Sequence, residues 1–315
     1  MADRPTDSAE QAALTFSQRI VFIGIYCFFA FLALLPLSWA RGIGAGLGYF
    51  YYKLANKRVH IVRVNLQLCY PDLNNQDREQ LVKASFIAAG QWVFEAGAIW
   101  LWPTKKILRY VTVANIDIFT KALANGHGVV LAMPHIGNWE VMGPFTTRHS
   151  EFACFYQHDS EGTALNEFVR QRRMRNGTVM APANIIGIRR LYKHLRANKV
   201  AGLLPDHFPT DNMGVFAPFF GRPVLTGTLI SELARKNNAP VIATAVIRTA
   251  VGFTIHFIEV PNQDSDDAVV AATALNRVIE QCIALAPEQF QWAYPRFKRL
   301  ANPELETNPY RQIDK

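Results

Sequence analysis

The stretch GVVLAMPHIGNWE, Gly128 to Glu140, decides how this chain folds. After its glycine comes an apolar run without polar alternation, closed by Pro134. That is the pattern of a short strand buried on both faces. Pro134 and Gly137 then carry the chain through a loop into a helix expected near Glu140–Thr147. Similar apolar runs follow at Phe152–Tyr156, Val200–Leu204 and Val241–Ile247, while Phe253–Val260 alternates more, as a strand nearer a sheet edge does. Helical stretches fall near Leu165–Arg175, Ile188–Ala197, Gly227–Lys236 and Asp267–Ala286. Strands alternating with helices predict an α/β fold with a mainly parallel central sheet flanked by helices.

Upstream, the pattern changes. From Ile20 to Ala40 there are 21 residues without a charge. As a helix this run is about 32 Å long, close to the hydrocarbon thickness of a bilayer. It starts late and lacks a basic leader and a clear cleavage site, which argues against a signal peptide. Asp3, Arg4, Asp7, Glu10 and Arg19 precede it; Arg41, Lys53, Lys57, Arg58 and Arg63 follow it. The Lys/Arg excess on the C-terminal side places the body in the cytoplasm. Pro36 and the glycines between Gly42 and Gly48 argue against a straight continuation, so the segment either spans the membrane or lies in it as a re-entrant or interfacial helix. The glycines do not make a dinucleotide fingerprint, because the last glycine is missing and no strand precedes them. Close helix packing accounts for them better. Tyr51–Leu68 reads as one basic amphipathic helix suited to a membrane surface, and Gln76–Trp102 as a second long helix whose aromatic residues face either core or membrane interface.

Length and composition fit this picture. The chain has 315 residues, half of them hydrophobic, and a mean hydropathy of +0.04. That is high for a soluble enzyme and low for a polytopic membrane protein. The formal charge of +8 fits an anionic membrane, an acidic protein or a nucleic acid. No nucleic-acid recognition motif is present and the Lys and Arg residues are dispersed, so nucleic acid is not expected as a partner. Cys27, Cys69, Cys154 and Cys282 are scattered and read as reduced thiols, with neither disulfide framework nor metal site expected. The segments expected are a polar tail over 1–18, a membrane-anchoring helical segment over 19–50, a catalytic body over 51–300 and a C-terminal tail over 301–315.

The chemistry centres on His135. It sits in the loop beyond a strand's carboxyl end, where open α/β sheets bind ligands. A neutral imidazole is the natural base near neutral pH. Of the eight histidines only His135 has an acid five residues on, Glu140. A turn after His135 would fold that carboxylate back to fix the ring's tautomer. Arg170, Arg172, Arg173 and Arg175 are either a solvated helix end or the cations that hold an oxyanion or a phosphate. Asp206 and His207 follow a second buried strand and should open onto the same edge as His135. Phe219 and Phe220 are either core or lining for an acyl chain. A serine or cysteine hydrolase is the competing enzyme class, but no G-x-S-x-G elbow is present. A membrane-tethered basic binding protein is the non-enzymatic alternative.

Taken in order, RVNLQLCYPDL, HIGNWE, RRMRNG, PDHFPTDNMGVFAPFFG and PEQFQWAYPRFKRL resemble the bacterial lipid A biosynthesis late acyltransferases over about Ile20 to Leu300. The resemblance implies a glycerol-3-phosphate acyltransferase-like fold with an N-terminal membrane-associated helix. It implies transfer of a fatty acyl chain from acyl carrier protein, or CoA, to a hydroxyl of a glycolipid at the cytoplasmic face of the inner membrane. Related acceptors include ornithine lipids and mannosylated phosphoinositides. Carried over residue by residue, His135 is the base with Glu140 as its partner, and Arg173 and Arg175 are the catalytic arginines. Asp206 is a family position with an orienting role, and Asn138, Arg170, Asp206, His207, Phe219 and Phe220 are the residues expected to bind substrate. No cofactor is implied. An E-G-T-R block, found in glycerol-phosphate acyltransferases, is absent. An acidic carrier protein and an anionic membrane face would both suit the basic body.

Overall fold

The computed structural model describes residues 15–54, 57–156, 164–209, 213–304 and 307–311. Most of the polar N-terminal tail and the last residues of the C-terminal tail lie outside them. In chain order the elements are α1 (Phe16–Leu34), α2 (Leu37–Lys53), α3 (Lys57–Cys69), α4 (Asn75–Leu101), α5 (Thr104–Ile107), β1 (Val111–Ala114), α6 (Ile116–Ala124) and β2 (Val129–Ala132). Then come α7 (Met142–Thr146), β3 (Phe152–Tyr156), α8 (Ala164–Met174), β4 (Val179–Pro182), α9 (Ile185–Arg196) and β5 (Val200–Leu203). A hairpin of β6 (Gly214–Phe219) and β7 (Arg222–Gly227) leads to α10 (Leu229–Asn237), β8 (Val241–Arg248), β9 (Phe253–Glu259) and α11 (Ala268–Leu285).

Among the described residues, seven strands form one sheet in the order β1-β9-β8-β2-β5-β3-β4. β8, β2, β5, β3 and β4 run parallel; β9 is antiparallel to β8 and carries β1 parallel to itself. The sheet is therefore mainly parallel, with helices on both faces. Strand β2 shows why its sequence does not alternate: Val130 and Ala132 join the core under α9, α10 and α11, while Val129 and Leu131 join the opposite core with Phe119, Met142 and Phe168. β9 lies one strand in from the edge, and its inward residues alternate as expected.

The single helix expected over Tyr51–Leu68 needs correction, while the interruption expected near Pro36 is present. The apolar run from Ile20 to Ala40 is not one helix. It breaks at Leu35, which is extended (φ −76°, ψ 145°), because Pro36 lacks an amide hydrogen and clashes with helical geometry in the residue before it. The glycines between Gly42 and Gly48 lie inside α2. Likewise Tyr51–Leu68 is split, with α2 ending at Lys53 and α3 starting at Lys57. α3 turns Val59, Ile61, Val62 and Leu66 into the core.

Helix α1 is long and apolar enough to cross a membrane, with a mean hydropathy of 1.8, and only Phe29 and Leu32 on it are buried. Its outward face, together with that of α2, exposes Phe16, Ile20, Ile23, Phe31, Leu34, Trp39 and Phe50. α11 passes the same length test but packs into the core through Leu275, Ile279, Cys282 and Ile283. The seam between α2 and α4 is made by glycine. A Cβ on Gly44 would meet the carbonyl of Gly90, and one on Gly48 the carbonyl of Phe86. On the other side of α2, Gly46 faces open space. Gly48→Ala is expected to lower stability by about 1–3 kcal/mol through overpacking. Gly46→Ala should be neutral or stabilising by up to about 1 kcal/mol. Thermal unfolding of both variants in detergent checks this contrast.

Candidate active site

Strands β2 and β5 are neighbours in register, with Ala132 opposite Leu203. His135 comes three residues after Ala132, and Asp206 three residues after Leu203. The two side chains therefore leave adjacent strand ends at the same level and meet. Asp206 grips His135 twice. Its Oδ1 lies 2.9 Å from the ring Nδ1, and its Oδ2 accepts the His135 backbone N–H at 2.9 Å. The aspartate is buried, the imidazole partly open.

The loop carrying His135 is tied down along its length. The backbone N–H of Gln291 donates to the His135 carbonyl, Gly137 donates to the carbonyl of Gln289, and Asn138 donates to that of Val246. Gly137 has φ +57°, and a Cβ there would run into the Val246 carbonyl, so glycine is required at this position. From there the chain enters a 3-10 turn at Trp139–Val141.

That turn corrects the pairing expected from the sequence. It sends Glu140 towards α4 and α8, away from the ring nitrogen. Glu140 accepts from Trp100 Nε1 at 3.0 Å and takes Arg173 bidentately, at 2.5 Å and 3.1 Å. The His135 ring makes its hydrogen bond to Asp206 instead, through Nδ1. Burial alone would raise the Glu140 pKa; the charge and hydrogen bonds of Arg173, the bond from Trp100 and the nearby His135 outweigh it and leave the group below its ordinary value. Burial pulls the other way on Arg173 too, but Glu140 raises its pKa overall. For Asp206, burial is overcome by the charge and hydrogen bonds of His135, and the pKa falls to about 2. Both carboxylates are ionised at neutral pH.

The remaining expected residues are placed as follows. The His207 ring stacks between His135 (4.2 Å, 8°) and Tyr294 (3.7 Å, 8°), and its Nε2 lies 3.2 Å from Gln291 Oε1. Burial, then the nearby His135 charge, lowers its pKa to about 4. Arg175 has a different task from the catalytic one expected: it donates to the carbonyls of Trp100, Leu101 and Trp102 and so caps the end of α4. Arg170 pairs with Glu167 one turn away on α8. Asn138 is fully buried and donates to Glu95, not towards a substrate groove. Phe219 is core, packed on Phe297 and under Arg296; Phe220 forms the hairpin turn against Tyr70 and Trp292. Sequence reading missed Trp139, whose ring edge meets His135 at 4.7 Å and which stacks on Trp92, and it missed Gln291 and Tyr294. The aromatic density of HIGNWE and PEQFQWAY was the signal available for them.

Beside the Trp139–Glu140 turn lies a small, partly open pocket. Ile99, Met133, Met142, Phe152 and Leu204 make it largely apolar, and Arg173 lines it next to Glu140. Arg172 Nε and Thr178 Oγ1 reach its wall buried and without a hydrogen-bond partner among the described residues, the Arg172 guanidinium lying over the rings of Phe168 and Tyr26. Among the same residues no cluster of His, Cys, Asp and Glu is placed to hold a metal ion.

An imidazole aimed by a carboxylate at the carboxyl ends of two parallel strands, beside an apolar pocket bordered by a guanidinium, is suited to taking a proton from a hydroxyl near an apolar substrate. Comparison with known proteins agrees with that class. Residues 9–299 match the family described as bacterial lipid A biosynthesis acyltransferase. The chain belongs to this family and is an acyltransferase. It is 28% identical to the lipid A biosynthesis lauroyltransferase of Escherichia coli (strain K12), over 84% of this chain and 87% of that protein. It is 27% identical to the palmitoleoyltransferase of the same organism (84% and 86%) and 23% identical to its myristoyltransferase (90% and 88%).

The stacked His207 gives a pH prediction. Its folded pKa lies below the ordinary histidine value of 6.5, so the unfolded chain binds the proton first as pH falls. Stability should therefore drop between about pH 6.5 and 4. Asp206 adds a separate loss only below its ordinary value of 3.8, towards pH 2. His207→Phe keeps the stack without the titration. Its unfolding midpoint should fall less steeply than that of the wild type over the pH 6.5–4 window, which thermal scans at stepped pH measure.

Proposed function

We propose that this chain moves a fatty acyl chain from an acyl carrier protein thioester to a hydroxyl of a lipid A precursor at the cytoplasmic face of the inner membrane. The observation that carries the reading is the doubly held His135, with Nδ1 on the carboxylate of Asp206. A carboxylate at Nδ1 favours the tautomer that keeps the proton there, leaving Nε2 as the base. The acceptor oxygen attacks the thioester carbonyl carbon while its proton passes to Nε2. The carbonyl π pair moves onto oxygen. Collapse of the tetrahedral intermediate restores the carbonyl and breaks the C–S bond, and the leaving thiolate takes the proton from His135. No acyl-enzyme is formed.

The roles of the two carboxylates differ from the His135–Glu140 dyad that the motif suggests. Asp206 aims the ring. Glu140 holds Arg173 against the pocket, where the guanidinium stabilises the developing oxyanion, and its charge favours the imidazolium from a greater distance. The apolar lining of the pocket suits contact with an alkyl chain. The names of the relatives support lipid A precursors as acceptor. The exposed apolar face of α1 and α2 supports attachment to a membrane, with α1 as the anchoring helix, and the net charge of +8 favours an anionic bilayer surface and an acidic donor protein. A glycerol-3-phosphate acyltransferase-like origin of the fold belongs to the same reading.

The test is an assay of the purified protein with acyl carrier protein and CoA thioesters against under-acylated lipid A precursor, ornithine lipid and mannosylated phosphoinositide. Acylation of the lipid A precursor from the carrier protein is expected, and His135→Ala should lose about 10²–10⁴-fold. Transfer confined to another acceptor would overturn the substrate assignment. Wild-type turnover by His135→Ala would overturn the mechanism.

A further inference from the structure

Arg41 is the first charged residue after the long apolar run, yet it is buried in the protein. From α2 its Nε donates to Glu95 Oε1 on α4 at 2.6 Å. Its Nη1 and Nη2 donate to the carbonyls of Thr249 (2.7 Å) and Gly252 (2.8 Å), in the turn between β8 and β9. Glu95 is fully buried and uses both oxygens. Oε1 also accepts Arg248 Nε at 2.5 Å, and Oε2 accepts Arg248 Nη2 at 3.1 Å and Asn138 Nδ2 at 2.9 Å. One carboxylate thus ties together an N-terminal apolar helix, the end of strand β8 and the loop that carries His135.

Such a cluster is poor value as a stability device. Desolvating three charges is costly, and well-packed apolar residues often serve as well. What it does specify is geometry. The His135 loop is held by Asp206 at its start and by Val246 and Gln289 in its middle. Glu95 holds its far side at Asn138, and through Arg41 that hold reaches α2. We infer that Arg41, Glu95 and Asn138 are positioning residues, through which the seating of the apolar N-terminal helices sets the loop from which His135 works. The inference rests on the reading of His135 as the base. A ring displaced by about 1 Å loses roughly 10²-fold in rate, so the coupling is large enough to measure.

The full chain in detergent micelles tests it, as wild type and as Arg41→Gln, Arg41→Lys and Asn138→Ala, with His135→Ala as control. Three quantities are read: kcat and KM for an acyl carrier protein thioester, the folded fraction by thermal unfolding, and the ¹⁵N-histidine NMR signal of the His135 Nδ1–H. Arg41→Gln and Asn138→Ala are expected to lose roughly 10- to 100-fold in kcat per folded molecule, with KM nearly unchanged and the His135 signal displaced. Arg41→Lys should recover part of the rate and of the signal. If Arg41→Gln does not fold, Asn138→Ala, which leaves both arginines on Glu95, decides alone. A wild-type rate per folded molecule in Asn138→Ala overturns the inference, and so does a lost rate with an unmoved His135 signal. Activity in His135→Ala would instead remove the base assignment on which it stands.

Discussion

The grip of Asp206 on His135 joins two strands that are distant in sequence and adjacent in space. It needs β2 and β5 side by side in register, each followed by two residues before its functional side chain. It also needs a buried carboxylate, and burial is tolerable because both oxygens are satisfied by the same residue. Much of the surrounding architecture keeps this contact in place. The segment from Gln289 to Tyr294 runs alongside the His135 loop, bonding its backbone through Gln289 and Gln291. The flat stack of His135, His207 and Tyr294 limits how the imidazole can tilt.

A second buried carboxylate, Glu140, does complementary work a few residues on. The left-handed turn at Gly137 and the short 3-10 turn after it rotate Glu140 onto the face where α4 and α8 pack. There it neutralises Arg173 at the edge of an apolar pocket. An unpaired charge in that setting would be expensive. The burial cost is offset because Arg173 and Trp100 both donate to Glu140.

Much of the sheet was legible in the sequence, because its central strands are unbroken apolar runs punctuated by glycine and proline. Residues 129–132, 200–203 and 241–248 needed no tertiary information. The strands β1 and β4 and the β6–β7 hairpin were not: β1 has four residues and none of them buried, while β4 and the hairpin mix exposed and buried positions and carry proline. The helices after Leu165 were legible from their periodicity. The break at Leu35 was signalled by Pro36, but the inward fold of Arg41 was not, because its partners Glu95, Thr249 and Gly252 are 54 to 211 residues away. The site was half readable for the same reason. His135, Glu140, Arg173 and Asp206 are all drawn to one end of the sheet, but spacing along the chain suggested Glu140 for the imidazole, and only strand adjacency shows that Asp206 arrives there first. Arg170 and Arg175 share composition with Arg173, and nothing local distinguishes a helix-capping guanidinium from one that faces a pocket.

The division of labour between the two carboxylates is tested most directly by the single-turnover rate of Asp206→Asn, with a bound acyl thioester and saturating acceptor. An amide at Asp206 keeps the shape but no longer favours the Nδ1–H tautomer. The account predicts a fall of up to about 10⁴-fold with substrate affinity retained. A folded Asp206→Asn protein turning over within a few-fold of wild type would contradict it.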